Sequence, residues 1–170
     1  EPGSRGIWAH VSSRIFTLGN RFYAGGMAID FDAYCNHSSA LFNTLSGATY
    51  HSAIFFEEGV KCNTAFANRC FANNNAIAVW CEAVTGVTEN NTIACNVLSG
   101  NGITGGSDLG IGGRAENKRA DRNYAFNNQI LRSSGRAGMC FKSHAKQNYI
   151  AQSVMADCST NIVNYSTRPF

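Results

Sequence analysis

Glu89-Asn90-Asn91-Thr92-Ile93-Ala94-Cys95-Asn96 is the stretch on which the fold is read. Two positions before Asn96 stands Ala94 and two after it stands Leu98, an apolar spacing of two that marks strands. The frame recurs along the chain. Asn20, Asn43, Asn68, Asn96 and Asn128 align, with Ser153 completing the series, at steps of 23, 25, 28, 32 and 25 residues. Leu18, Leu41, Phe66, Ala94, Phe126 and Ala151 lie two positions before them, and Phe22, Leu45, Cys70, Leu98, Ile130 and Met155 two positions after. All are apolar, so both sets are expected to face inward.

A second column runs half a repeat earlier. Short apolar runs begin at Ile7, Ile29, Ile54, Ile77, Leu109 and Met139, with a partial seventh near Ile162. Ala9, Phe31, Phe56, Val79, Ile111 and Phe141 follow two residues on, and turn residues such as Cys62-Asn63 and Asn73-Asn74-Asn75 separate the columns. Two strands per repeat of 22 to 32 residues, with an asparagine in register, describe the coils of a solenoid. Asparagine suits the position because its amide can hydrogen-bond its counterpart in the next coil while the backbone turns. A β-sandwich also alternates apolar and polar residues, but has no reason to hold one asparagine in register over six repeats.

Composition agrees. The 170 residues include 19 Asn, 17 Gly and only 2 Pro, which disfavours helices, while 11 Phe, 6 Tyr and 2 Trp argue against disorder. The expectation is one all-β domain spanning residues 1–170. Charged residues are 15% of the chain and the net charge is +3, with no basic block, so nucleic acid is a poor partner. No apolar run reaches membrane-spanning length, and Glu1-Pro2-Gly3-Ser4 does not read as a signal peptide. The seven cysteines lack C-x-x-C spacing and the four histidines are scattered, which disfavours zinc. Cys35 and Cys62 occupy similar turns and are read either as a disulfide or as stacked thiols. Sequons at Asn36, Asn90 and Asn164 lend modest support to a secreted or cell-surface location.

With its stacked asparagine, Ile54-Phe55-Phe56-Glu57-Glu58 and the stretch from Glu89 to Asn96, the sequence resembles the right-handed parallel β-helix, pectin-lyase-like superfamily over roughly residues 6 to 166. The repeats count out six to seven coils. At about 4.8 Å per coil the rod would be roughly 30 Å long. Its open ends would need covering by further chain segments of a larger protein or by a homo-oligomer. The subfamily stays open: the Asp-Asp, Gly-His-Gly and Arg-Ile-Lys motifs of polygalacturonase-type hydrolases are absent, and Ile7-Trp8-Ala9-His10 lacks the Asp of the pectate-lyase pattern Trp-Ile-Asp-His.

Candidate chemistry sits on outward positions of the second column. One residue after each column start come Trp8, Asp30, Phe55, Ala78, Gly110 and Cys140. Three after come His10, Asp32, Glu57, Trp80, Gly112 and Lys142, and five after come Ser12, Tyr34, Gly59, Glu82, Arg114 and His144. Acids, aromatics and cations in one groove suit carbohydrate. Asp32 and Glu57 are the expected acid pair of a glycoside hydrolase, with Asp30 and Glu82 as further candidates. Trp8, Trp80 and Tyr34 form the expected sugar platform, and His10, Arg114, Lys142 and His144 bind polar or anionic groups. No cofactor is required, although the four acids offer oxygen ligands for Ca²⁺. Lys142, Arg114, His10 or His144 would be the base of a lyase acting on a uronate polymer. A non-catalytic, adhesin-type β-helix is the rival outside enzymes, and solvated surface acids and loop-covering tryptophans are the plain alternatives for single residues. Gly100 to Gly113 is read as a long loop beside the groove.

Overall fold

The computed structural model describes residues 4–23, 25–82, 86–133, 137–158 and 160–164. Among these residues there is no helix. Every ladder between named strands is parallel, and neighbouring strands come from successive repeats. The first sheet has seven strands: Arg5–His10, Met27–Asp32, Ser52–Glu57, Asn75–Cys81, Ser107–Gly113, Ala137–Phe141 and Ile162–Asn164. A second sheet of six strands runs from Phe16–Leu18 to Tyr149–Ala151, and a third of six from Arg21–Tyr23 to Val154–Ala156. A three-stranded sheet, Gly86–Glu89, Lys118–Asp121 and Ala145–Lys146, completes the set. This all-β arrangement of parallel strands is compatible with a parallel β-helix.

The register of the first sheet follows the expected column. Ile7 pairs with Ile29, Ile29 with Ile54, Ile54 with Ile77, Ile77 with Leu109, Leu109 with Met139 and Met139 with Ile162. Ile29, Ile54, Ile77, Leu109 and Met139, joined by Phe31, Phe56, Val79 and Phe141, fill the interior, while Ile162 on the last strand is exposed.

The asparagine column forms a hydrogen-bonded ladder at the corner between the second and third sheets. Asn68 shows the pattern. Its Oδ1 accepts from Asn43 N at 2.9 Å and Asn43 Nδ2 at 3.0 Å, while its Nδ2 donates to Ala40 O at 2.8 Å and Asn96 Oδ1 at 3.0 Å. That uses the full capacity of a primary amide at a site closed to water, so burial leaves nothing unsatisfied. A second ladder runs through Ser38, Asn63, Asn91, Asn123 and Asn148. A third links Ala48, Asn73 and Asn101.

One part of the inward assignment is overturned. Leu18 is 64% exposed, and Leu41, Phe66 and Phe126 also face outward; the residues before them, Thr17, Ala40, Ala65 and Ala125, are the buried ones. The cause lies next to each asparagine. Gly19, Phe42, Ala67, Cys95, Asn127 and Gln152 all have left-handed backbone, with φ between 50° and 67°. One such residue turns the corner and shifts the alternation by one, so the positions after the asparagine (Leu45, Cys70, Leu98, Ile130) point inward as expected.

The stretch 100–113 also divides differently. Residues 101–106 form a loop, but Ser107–Gly113 is a buried strand. A Cβ on Gly112 would lie 2.2 Å from Trp80 Cζ3 and 2.7 Å from Lys142 Cβ, so glycine is needed for the tryptophan to lie across that strand. Cys35 is buried and Cys62 exposed, and no disulfide joins them.

Replacing Asn68 with Ala strands three buried groups on Asn43 and Ala40. The expected cost is more than about 3 kcal/mol in urea unfolding. Asn20→Ala, at the half-exposed end of the same ladder, should cost about 1 kcal/mol or less. Equal losses at the two positions would show that the ladder is not what the stability rests on.

Candidate functional site

The outward face of the first sheet carries two groups of side chains. In the first, Asp30, Asp32 and Glu57 bring one carboxylate oxygen each to within 4.8 Å of one another. Trp8 pairs with Asp30 across the sheet and His10 with Asp32, so in-register strands stack these columns one repeat apart. Trp8 Nε1 donates to Asp32 Oδ2 at 2.9 Å, and His10 Nδ1 lies 3.3 Å from the same oxygen. The Trp8 and His10 rings are 5.1 Å apart.

Arg5 completes this group. Its Nε is hydrogen-bonded to Asp30 Oδ2, an Nη lies 3.7 Å from Glu57 Oε1, and its guanidinium sits 4.9 Å from the Trp8 ring centroid. Nothing in the period-two reading pointed to Arg5, which by strict alternation from Ile7 would face the core. Alternation breaks at the start of these strands: Ala28 and Ile29 are both in the core, as are Ala53 with Ile54 and Ala76 with Ile77. The residues before these pairs are therefore thrown outward. Met27, the register partner of Arg5, packs on the outer face with Phe55, Ala78 and Trp80.

Three carboxyls and one guanidinium leave an excess of negative charge in a largely buried place. Burial, reinforced by the charges of Asp30 and Asp32, pushes Glu57 up to about 9, so it holds its proton at neutral pH. Burial likewise raises Asp30 to about 6, against the lowering effect of Arg5. The three acids supply oxygen ligands of the kind a hard cation such as Ca²⁺ takes, although Arg5 already lies against two of them.

The second group lies beyond Phe55, which is in register with Asp30 on one side and Ala78 on the other. Trp80 and Lys142 come together here, with Lys142 Nζ 4.9 Å from the Trp80 ring centroid. His51, outside every expected column, stacks on Phe55 at 4.1 Å and joins this group. Burial and then the charge of Lys142 lower its pKa to about 4.

Glu82 lines the same cavity as Trp80, His51 and Lys142, and the other candidates disperse. Glu82 is not one of the three clustered acids; it pairs with Arg114 at 2.8 Å, both well exposed. His144 lies 3.5 Å from Glu116, which also holds Lys146. Tyr34 is exposed in the turn beyond Asp32, its ring against Gly59. Comparison of the chain with protein-family models, with curated proteins and with solved structures finds no match.

The raised Glu57 carries a stability signature. Because the fold favours the protonated acid, its contribution is full below its ordinary value of 4.5 and is lost as pH rises toward about 9. Asp30 acts in the same direction between 3.8 and about 6. Urea midpoints should therefore fall from pH 5 to pH 9, and Glu57→Gln should flatten that fall. An unchanged slope in the variant would remove Glu57 as its source.

Proposed function

We propose that this chain is a right-handed parallel β-helix of the pectin-lyase-like kind that cleaves glycosidic bonds as a glycoside hydrolase. The observation carrying the reading is the Asp30–Asp32–Glu57 group beside Trp8, on the outward side of a continuous parallel sheet. Support for the coil comes from sheets whose neighbouring strands are successive repeats and from ladders linking each repeat to the next.

In this reading Glu57, protonated at neutral pH, is the general acid that gives its proton to the glycosidic oxygen. Asp32 is the carboxylate that attacks the anomeric carbon, oriented by Trp8 Nε1 and His10. The glycosyl ester is then hydrolysed by water whose proton returns to Glu57. Carboxyls about 5 to 5.5 Å apart serve retaining enzymes and about 6.5 to 9.5 Å inverting ones, and the spacing here, with oxygens within 4.8 Å, fits retention. Asp30, buried and held by Arg5, acts through its charge on Glu57. Trp8 and Trp80 offer faces for sugar rings. A polysaccharide substrate and the sequons together favour a secreted or cell-surface setting.

A glycan panel followed by reducing-end release and by absorbance at 235 nm tests this. Reducing ends without new absorbance are expected, the first product keeping its anomeric configuration. Glu57→Gln and Asp32→Asn should each lower the rate by about 10²- to 10⁴-fold. Absorbance at 235 nm would replace hydrolysis by elimination, and full activity in both variants would refute the site.

A further inference from the structure

The second sheet differs from the other three in charge. Its six strands of three residues contain no charged side chain, although 15% of the chain is charged. Every other sheet has some: Asp30 and Asp32 in the first, Arg21 and Arg69 in the third, Lys118 and Asp121 in the three-stranded one. The middle residue of each strand packs on the core, so two columns point outward. The column from Leu18 to Ala151 is apolar at all six positions, and beside it stand Phe16, Ser39, Thr64, Thr92, Tyr124 and Tyr149. Phe16, Leu18 and Tyr149 are more than half exposed. Phe42 at the corner, also more than half exposed, widens the patch, its ring edge-on to Phe66. Aromatic side chains without charge are the composition of an interface core rather than of a solvated face.

The order of residues along the two columns says what fits there. Turned end for end about an axis parallel to the strands, midway between Thr64–Phe66 and Thr92–Ala94, this side complements itself. Phe66 then meets Ala94 of the partner subunit, and Ala94 is a hollow, 1% exposed between Phe66 and Phe126. Leu18 meets the partner's Ala151, and Leu41 meets the partner's Phe126. In the other column Thr64 meets the partner's Thr92 and Ser39 meets the partner's Tyr124, hydroxyl against hydroxyl. Phe16 lies on the partner's Tyr149, an aromatic pair. The opposite choice, with the repeats of both copies running the same way, sets Ser39 and Thr64 against the partner's Leu41 and the partner's Phe66. That buries hydroxyls without partners and is disfavoured.

We infer that the outer side of the second sheet is the interface of a reversible homodimer, two copies packing about this two-fold axis with their repeats running in opposite directions. Area sets its strength. Six strands about 4.8 Å apart, each of three residues at about 3.3 Å, make a patch on the order of 300 Å² in plan. Specific interfaces bury about 800 Å² per partner, so even with Phe42 and the relief of the side chains the dimer is concentration-dependent and not obligate. Nothing in this inference depends on the carbohydrate reading.

Sedimentation velocity on the intact chain, from about 1 to about 500 μM, tests it. The mean mass should rise from one chain toward two, with little dependence on salt, because no charges pair across the interface. Leu18→Lys and Phe126→Lys, at outward positions, should each weaken association at least tenfold at unchanged melting temperature, since the symmetry brings each substitution into the interface twice. The opposed arrangement has its own readout. Ser39 and Tyr124 lie three strands apart in one chain, about 14 Å, beyond the roughly 7 Å between Cα atoms that a disulfide spans, but face each other across the axis. Ser39→Cys combined with Tyr124→Cys should therefore cross-link two chains on oxidation, and neither substitution alone should. A chain that stays monomeric at every concentration overturns the inference and leaves this side to a partner of another kind. Association that survives both lysine variants places the contact elsewhere and overturns it as well. Dimers that the lysine variants abolish but that the paired cysteines do not cross-link refute the opposed arrangement.

Discussion

Everything in this fold depends on buried amides that can be satisfied only by neighbouring repeats. A buried asparagine without partners is costly, and the amide of Asn68 meets its needs from Ala40, Asn43 and Asn96, none of which belongs to its own repeat. A strand shifted by one residue would break that set and turn its core side chains outward. The ladders therefore hold register where short strands of three residues would hold it poorly. They also confine variation in repeat length. The steps from Asn43 to Asn68 and from Asn96 to Asn128 are 25 and 32 residues, yet the hydrogen bonds are the same. Additional residues are forced out between the corners, and the loop 101–106, part of which lines a cavity with His51 and Lys142, is one result.

Fixed register has a chemical consequence on the first sheet. Side chains on the same face of adjacent strands stand one strand spacing apart, too close for several carboxylates to ionise together in a buried place. Asp30, Asp32 and Glu57 meet this constraint with one guanidinium, and the unbalanced charge is relieved by a proton on Glu57. Two kinds of acid thus arise from one crowded column: one that keeps its proton, and one, Asp32, whose oxygen accepts from Trp8 and faces His10.

Much of this was legible in the sequence, and each error has a local cause. The isoleucine column and the Asn20-to-Asn128 ladder could be read because both repeat in strict register. The second ladder, from Ser38 to Asn148, carried the same signal at the same spacing and needed only a second alignment. Leu18 and its counterparts were placed inside because period-two counting does not see the left-handed residue that precedes each asparagine. Arg5 escaped because paired core residues such as Ala28 and Ile29 reset the alternation. His51 lies in a connection, where no periodicity exists, and only the fold brings it against Phe55.

The two groups on the outer face are best understood together. One end has more carboxyls than cations, while at the other Lys142 shares a cavity with Glu82, whose charge is met by Arg114. Met27, Phe55 and Ala78 pack with Trp80 on the outer face beside them, while Glu57 is itself in register with Trp80. Lys142 could balance the acids if its strand lay beside them, but the ladders hold it three strands from Glu57, past the Trp80 and Gly112 strands. The separation is thus maintained by the same asparagines that stabilise the core. Carboxyls and the Lys142 ammonium thus stand on one outward column, separated by the strands that carry Trp80 and Gly112.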